Sequence, residues 1–193
     1  AGTLNNGFNT QLNVINGAPV LGTLAPPNAV ITQQYFYQIP EAAPTTNLKA
    51  TSFSVTGLPP GLKCDASTGL ISGRPTATKT GGYALTIKAT NLKGSDTKTA
   101  TLTVIGMPPP ALGTFTGYIP RSSLNDNLGG RIDLTTTASG ACSGSITLGG
   151  QPRRPFKNQL IQSYGNSDAL LTAHVAGVKM PDGTPLFVTI DLN

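Results

Sequence analysis

Charge is scarce in this chain. Only 11% of its 193 residues are charged, and the acidic share is one Glu and seven scattered Asp. Paired carboxylates for glycosidic-bond chemistry therefore have little to draw on. The single histidine, His174, and two cysteines fall short of the ligand sets that metal sites use. Tryptophan is missing and tyrosine numbers five, which argues against an exposed row of sugar-stacking aromatics. No run is apolar over the roughly 20 residues of a membrane span. None holds a helical apolar period, and no signal-peptide or lipidation pattern is present. The chain begins at Ala1 without an initiator Met and reads as a mature or excised piece of something longer.

The net charge of +5 is scattered. Residues 17–106 carry seven basic and three acidic side chains, and residues 111–193 carry six and five. A pI near 9.4 thus reflects few carboxylates rather than a basic stripe. Nucleic-acid binding needs clustered Lys and Arg interleaved with aromatics. Only Arg153, Arg154 and Lys157 cluster, in a predicted hairpin loop, so no nucleic-acid partner is expected. Cys64 and Cys142 fall in different halves of the chain, which leaves an interdomain disulfide or two buried thiols. Buried thiols are favoured, because two sites in separate modules rarely meet the ~5.5–6 Å Cα spacing of a bridge.

What is abundant is turn and strand chemistry: 23 Gly and 16 Pro punctuate alternating apolar runs. That composition predicts an all-β chain, and the length predicts two domains. Tyr83, Leu85, Ile87 and Ala89 alternate with Thr86, Lys88 and Thr90, and Ala100, Leu102 and Val104 alternate with threonines. Side chains alternate faces along a strand, so each run has one buried face and one wet face. The connection 91–96 carries Asn91 and Gly94 where a hairpin needs positive φ, so 83–90 and 97–104 are predicted to pair antiparallel. Upstream, Phe53 and Val55 lead into Leu58-Pro59-Pro60-Gly61-Leu62, a break whose leucines are expected to plug one end of the core. Asp65–Gly69 is a turn, and Leu70-Ile71 a short strand that Gly73-Arg74-Pro75 ends.

This punctuation resembles the putative-Ig family of bacterial surface proteins, related to cadherin-like and dystroglycan-type modules. The elements that carry the likeness are the Gly-Leu-Pro-Pro-Gly-Leu corner at 57–62, the Asp…Thr-Gly turn at 65–69 and Ile-Ser-Gly-Arg-Pro at 71–75. Gly-Gly-Tyr at 81–83 and the strands 84–90 and 97–104 follow in the family's order. The match covers residues 17–106 and implies an immunoglobulin-like β-sandwich with no catalytic residues to carry over. Cys64 departs from the family's usual aliphatic residue. Cadherin-like relatives bind calcium between domains, but such sites want several carboxylates. Residues 17–106 offer only Glu41, Asp65 and Asp96, with Asp65 serving turn geometry, so no calcium and no other cofactor is expected.

Within that module, Gly17–Leu24 and Val30–Ile39 are predicted to supply the first strands. Tyr35, Tyr37 and Ile39 are read as core rather than as a ligand platform. Residues 107–111 form a Pro-rich linker in which Pro108–Pro110 favour extended polyproline II, a semi-rigid spacer holding two modules apart. Residues 112–193 are predicted to be a second antiparallel β-meander, an open barrel or sandwich. Its strands are expected at 112–119, 131–137, 142–148, 156–162, 169–179 and 185–192. Gly113-Thr-Phe115-Thr-Gly117, Gly129–Thr137 and Gly140–Gly150 resemble a β-rich repeat that follows putative-Ig modules in large exported bacterial proteins. Cys142 stands where such repeats carry an aromatic, and the likeness names no activity. His174, with Asp168 and Ser163 as partners by residue type only, is read as a surface histidine rather than as part of a triad.

Residues 1–16 precede the module and carry Phe8, Leu12 and Val14. They are either a frayed stub or a donor strand for a β-rich unit in a neighbouring copy or a preceding segment. The proposed acceptor is the edge near Leu186, Val188 and Ile190, in a run without the Lys, Pro or bulge that usually blunts an edge. These readings point to a non-catalytic structural or adhesive module pair of a bacterial extracellular or cell-surface protein. It would extend into a filament or stalk, partnered by copies of itself or neighbouring domains and without membrane insertion. The alternative is an accessory carbohydrate-binding segment of a secreted polysaccharide-degrading enzyme.

Overall fold

The computed structural model describes residues 17–43, 48–121, 123, 127–161, 172–174, 178–179, 185–186 and 189–191, and beyond residue 161 the backbone alone. The architecture is all-β, with a short 3₁₀ turn at Pro109–Ala111 among the described residues. In the first unit, β1 (Ala29–Val30), β2 (Tyr35–Gln38), β3 (Ser52–Thr56), β4 (Leu62–Cys64), β5 (Leu70–Gly73), β6 (Tyr83–Asn91), β7 (Gly94–Leu102) and β8 (Val104–Ile105) form three sheets. One has the order β3-β6-β7, another β2-β5-β4, and β1 runs parallel to β8.

The alternation expected at 83–90 is met. Leu85, Ile87 and Ala89 are fully buried on the inner face of β6, opposite Ala100, Lys98 and Asp96 of β7. Tyr35 and Ile39 are buried and Phe36 is exposed, which makes the first two core side chains. The corner at 57–62 plugs the core as expected, with Leu62 buried and Leu58 packed against it. Its glycine is required: Gly61 sits at φ 90°, and a Cβ there would collide with the Arg74 carbonyl.

The turn at Asp65 closes as its chemistry dictates. Asp65 Oδ1 accepts from the Ser67 N–H at 2.8 Å, the Ser67 hydroxyl at 2.7 Å and the Thr68 N–H at 2.9 Å. The Ser67 hydroxyl first, then the Thr68 and Ser67 N–H groups, hold the carboxyl down to about 2 from 3.8. A depressed folded-state pKa adds stability above the unfolded pKa, and that stability drains as pH falls through the folded one. Asp65→Ala is therefore expected to melt earlier than the parent at pH 7. The gap should narrow as pH drops from about 4 towards 2. Thermal melts at both pH values check this, and a gap independent of pH would contradict it.

The early strands differ from expectation. Residues 17–24 form no strand: Leu21 makes an isolated bridge with Glu41, flanked by bonds from the Gly22 N–H to the Pro40 carbonyl and from the Ala42 N–H to the Val20 carbonyl, both 2.8 Å. The Leu21 N–H donates to Asp96 Oδ2 at 2.8 Å, and its carbonyl accepts from Lys98 Nζ at 2.6 Å. Side chains of β7 thus satisfy the backbone that a ladder would otherwise use. The run 30–39 breaks after Val30 because Thr32 adopts φ 62°. The run 97–104 also splits: β7 ends at Leu102, and Val104 pairs with Ala29 in the parallel pair.

The second unit centres on β9 (Gly113–Ile119), β10 (Gly130–Thr136), β11 (Ala141–Leu148) and β12 (Arg154–Leu160), antiparallel in the order β12-β11-β10-β9. Ile132, Leu134, Cys142, Ile146, Leu148 and Phe156 are buried. Arg154 and Lys157 lie in β12 rather than in the expected hairpin loop, because the turn is complete by Gln151, whose N–H bonds the Leu148 carbonyl at 3.0 Å. The expected strands 169–179 and 185–192 are each divided. β13 (Thr172–His174) pairs with β16 (Thr189–Asp191), and β14 (Val178–Lys179) pairs with β15 (Pro185–Leu186). None of the sheets closes into a barrel among the described residues.

Candidate functional site

The segment 107–111 does not behave as a spacer. Pro108 keeps the extended backbone at φ −66°, ψ 149°, but Pro109–Ala111 turn as a 3₁₀ helix, and Met107 and Ala111 are buried. Polyproline geometry gives way here because the chain gains more by burying Met107 and Ala111 than by staying extended.

The joint they help form is built from both units. Thr32 is buried in a left-handed conformation that a β-branched residue rarely adopts. Its N–H donates to the Pro75 carbonyl at 2.7 Å, its carbonyl accepts from Arg74 Nη1 at 3.1 Å, and its hydroxyl donates to the Ile161 carbonyl. Such a backbone costs on the order of 1–3 kcal/mol, so it persists only where its surroundings over-determine it. Gln33 Nε2 reaches the same Ile161 carbonyl at 3.3 Å and Met107 Sδ at 3.8 Å. From the second unit, the β10–β11 turn closes the joint. The Ala138 carbonyl accepts the Met107 N–H at 3.0 Å, and the Gly140 carbonyl accepts the Ile161 N–H at 2.8 Å. Gly140 has φ 78°, and a Cβ there would stand 2.7 Å from Thr32 Cγ2. Beside this seam lies an open cleft of about 680 Å³ whose lining includes Thr76, Thr78, Lys79, Thr80 and Ser139. Its cation, Lys79, lies 5.7 Å from the Tyr83 ring centroid.

The carboxylates of the first unit brace backbone. Glu41 Oε2 accepts the Ala50 N–H at 3.2 Å, Asp96 holds Leu21 and Asp65 holds its own turn. No group of three metal-ligating side chains occurs among the described residues. Both cysteines are free: Cys142 is buried and Cys64 half-buried. Burial pushes both thiols up, with Asp65 adding to the effect at Cys64, which is opposite to what an activated nucleophile needs.

A second polar constellation lies on the outer face of the four-stranded sheet. Tyr118 of β9 stands directly opposite Arg131 of β10, and Thr116 opposite Asp133. Asp133 Oδ1 accepts from Arg131 Nε at 2.9 Å, Arg131 Nη2 at 2.7 Å and the Thr116 hydroxyl at 2.8 Å. These bonds, that of Arg131 first, hold the Asp133 carboxyl below its usual range. Tyr118 is 85% exposed. One strand over, Ser145 of β11 stands directly opposite Asp133, and Arg153 Nε donates to the Ser145 hydroxyl at 2.8 Å.

Of the residues singled out for interaction, Phe8, Leu12, Val14 and Val188 lie outside the described residues. Leu186 falls in β15 opposite Val178, and Ile190 in β16 opposite Ala173, so each has a partner strand within the chain. His174 falls in β13, while Asp168 and Ser163 lie outside the described residues. Neither the joint nor the Tyr118 face was read from sequence. The only signal for the latter was the alternation of Thr114, Thr116 and Tyr118 on one side of β9.

No helix among the described residues is long and apolar enough to cross a membrane. No curated protein matches the sequence. Among solved structures, a putative α-galactosidase from Bacteroides fragilis NCTC 9343 is 26% identical over 49% of this chain and 19% of its own, with a TM-score of 0.41. A putative α-galactosidase/melibiase from the same organism is 23% identical over 48% of this chain and 18% of its own, also at 0.41. The chain thus spans less than a fifth of either protein. Residues 18–105 match the family model described as "Putative Ig domain". The Gly57–Leu62 corner, the Asp65 turn and the β6–β7 hairpin all lie within this stretch, which is similar to the putative Ig domain family.

Proposed function

We propose that this chain is a non-catalytic structural or adhesive module pair of a bacterial extracellular or cell-surface protein. Its partners are copies of itself or neighbouring domains of a longer parent. The observation that supports this most directly is the joint: Thr32, Met107, Gly140 and Ile161 lock two β units together through buried groups. An interlocked seam sets the angle between successive modules, which a stalk or filament needs and a flexible tether does not supply. The described carboxylates of the first unit serve turns and backbone, consistent with a structural role.

The assembly part of this reading rests on residues 8–15 as a donor strand. It predicts that the full chain forms linear head-to-tail assemblies, because such a contact does not close on itself. A chain beginning at Gly17 is expected to stay monomeric by light scattering and to be cut faster by protease. Equal assembly and equal resistance in the two chains would remove the donor strand and leave a module pair joined only by its covalent neighbours.

The second reading, an accessory carbohydrate-binding segment, is favoured by one observation: Tyr118 is exposed beside Arg131 and Asp133.

A further inference from the structure

We propose that the outer face of the β9–β10 pair binds a neutral pyranoside, stacking the sugar's apolar face on Tyr118 and bonding two adjacent hydroxyls to Asp133 Oδ2 and the Arg131 guanidinium. The site gives residues to the adhesive part of the reading above. It is independent of the joint, so its failure would leave the structural role standing.

The geometry carries the assignment. Directly opposed residues on one face of an antiparallel pair have Cβ atoms about 4.5–5.5 Å apart. Tyr118 and Arg131 are such a pair. Asp133 follows two residues along β10 on the same face, roughly 7 Å on. Ring, guanidinium and carboxylate therefore span the breadth of one sugar. Tyr118 keeps most of its apolar surface in water, and β9 is the last strand of its sheet among the described residues, so the ring is reached from the side as well as from above.

The polar partners are set before any ligand arrives. Arg131 Nε and Nη2 and the Thr116 hydroxyl all converge on Asp133 Oδ1, which fixes the carboxylate plane and leaves Oδ2 as its further acceptor. Arg131 Nη1 is the matching donor on the fork. An acceptor and a donor at fixed separation match two neighbouring hydroxyls, each of which can donate and accept. Arg131 and Asp133 cancel each other's charge, and Arg153, bonded to Ser145 directly opposite Asp133, adds one cation at the rim, so binding of a neutral ligand is distinguished from binding of an anion by its salt dependence. Little ordering is left to do on binding, although a single ring on an open face still binds weakly, with a Kd in the millimolar range.

The test uses the full, isotopically labelled chain and amide NMR titrations with methyl α-mannoside, methyl α-galactoside and methyl β-glucoside. Saturable shifts are expected at residues 116–118 and 131–133 with at least one of them. Tyr118→Ala should weaken binding by roughly ten-fold, the scale of a lost stacking contact, and Tyr118→Phe should restore it. Asp133→Asn should weaken binding while the amides of β11 and β12 stay in place, which separates a lost acceptor from a lost fold. Shifts with none of the three glycosides, or unchanged affinity in Tyr118→Ala, would overturn the proposal. So would salt-sensitive binding of a methyl glucuronide alone, which would make Arg131 and Arg153 an anion site instead.

Discussion

Leu102→Ala is expected to destabilise the Ig-like unit by about 2–5 kcal/mol, the range for emptying a packed core position. Leu102 is fully buried at the end of β7, opposite Tyr83 of β6. Thr101, one residue earlier, is exposed and opposite Ala84. Thr101→Ala should cost well under half as much. The contrast is a register test, because a one-residue slip exchanges the two faces of a strand. Equal losses in urea melts would place the hairpin in the other register.

The second large effect is expected at the joint. Gly140→Ala puts a methyl within 2.7 Å of Thr32 Cγ2 on a backbone at φ 78°, so either the turn or Thr32 must move. Thr32→Val is gentler: it keeps the branched shape but leaves the buried Ile161 carbonyl with Gln33 as its remaining side-chain donor. Loss of such a bond costs about 1–3 kcal/mol. Small-angle scattering should show a narrow distribution of distances between the units in the parent, broadened strongly by Gly140→Ala and less by Thr32→Val. Replacing Pro108–Pro110 by glycine should broaden it least, since the seam and not the prolines sets the angle. The reverse ranking would return stiffness to the linker.

Much of the fold is legible in the sequence. The strands at 83–91, 94–102, 130–136 and 141–148 follow from alternation, and the turns between them from Gly94 and Gly140 at positive φ, whereas Asn91 does not take the positive φ expected of it and instead accepts the Lys93 N–H on its side chain. The Asp65 turn and the Gly57–Leu62 corner are equally local: the groups that satisfy Asp65 lie two and three residues away. Such features are encoded where they occur, since side-chain period and backbone sterics act over a few residues.

What was misread depends on groups far apart in the chain. Residues 17–24 looked like a strand, but Leu21 takes its partners from Asp96 and Lys98, and nothing near Leu21 announces them. The prolines at 108–110 promised extension, yet burial of Met107 against the second unit outweighs that local preference. Thr32 carries no mark of left-handed backbone; its conformation follows from Pro75, Arg74 and Ile161 together. Tyr118 and Asp133 are separated by the 120–129 connection and become neighbours only through the register of β9 against β10. Local pattern determined that this chain is made of β strands and where most of them turn. Long-range pairing, whose free energy no short window contains, determined which polar groups meet, and hence where this protein has a seam and where it has a face.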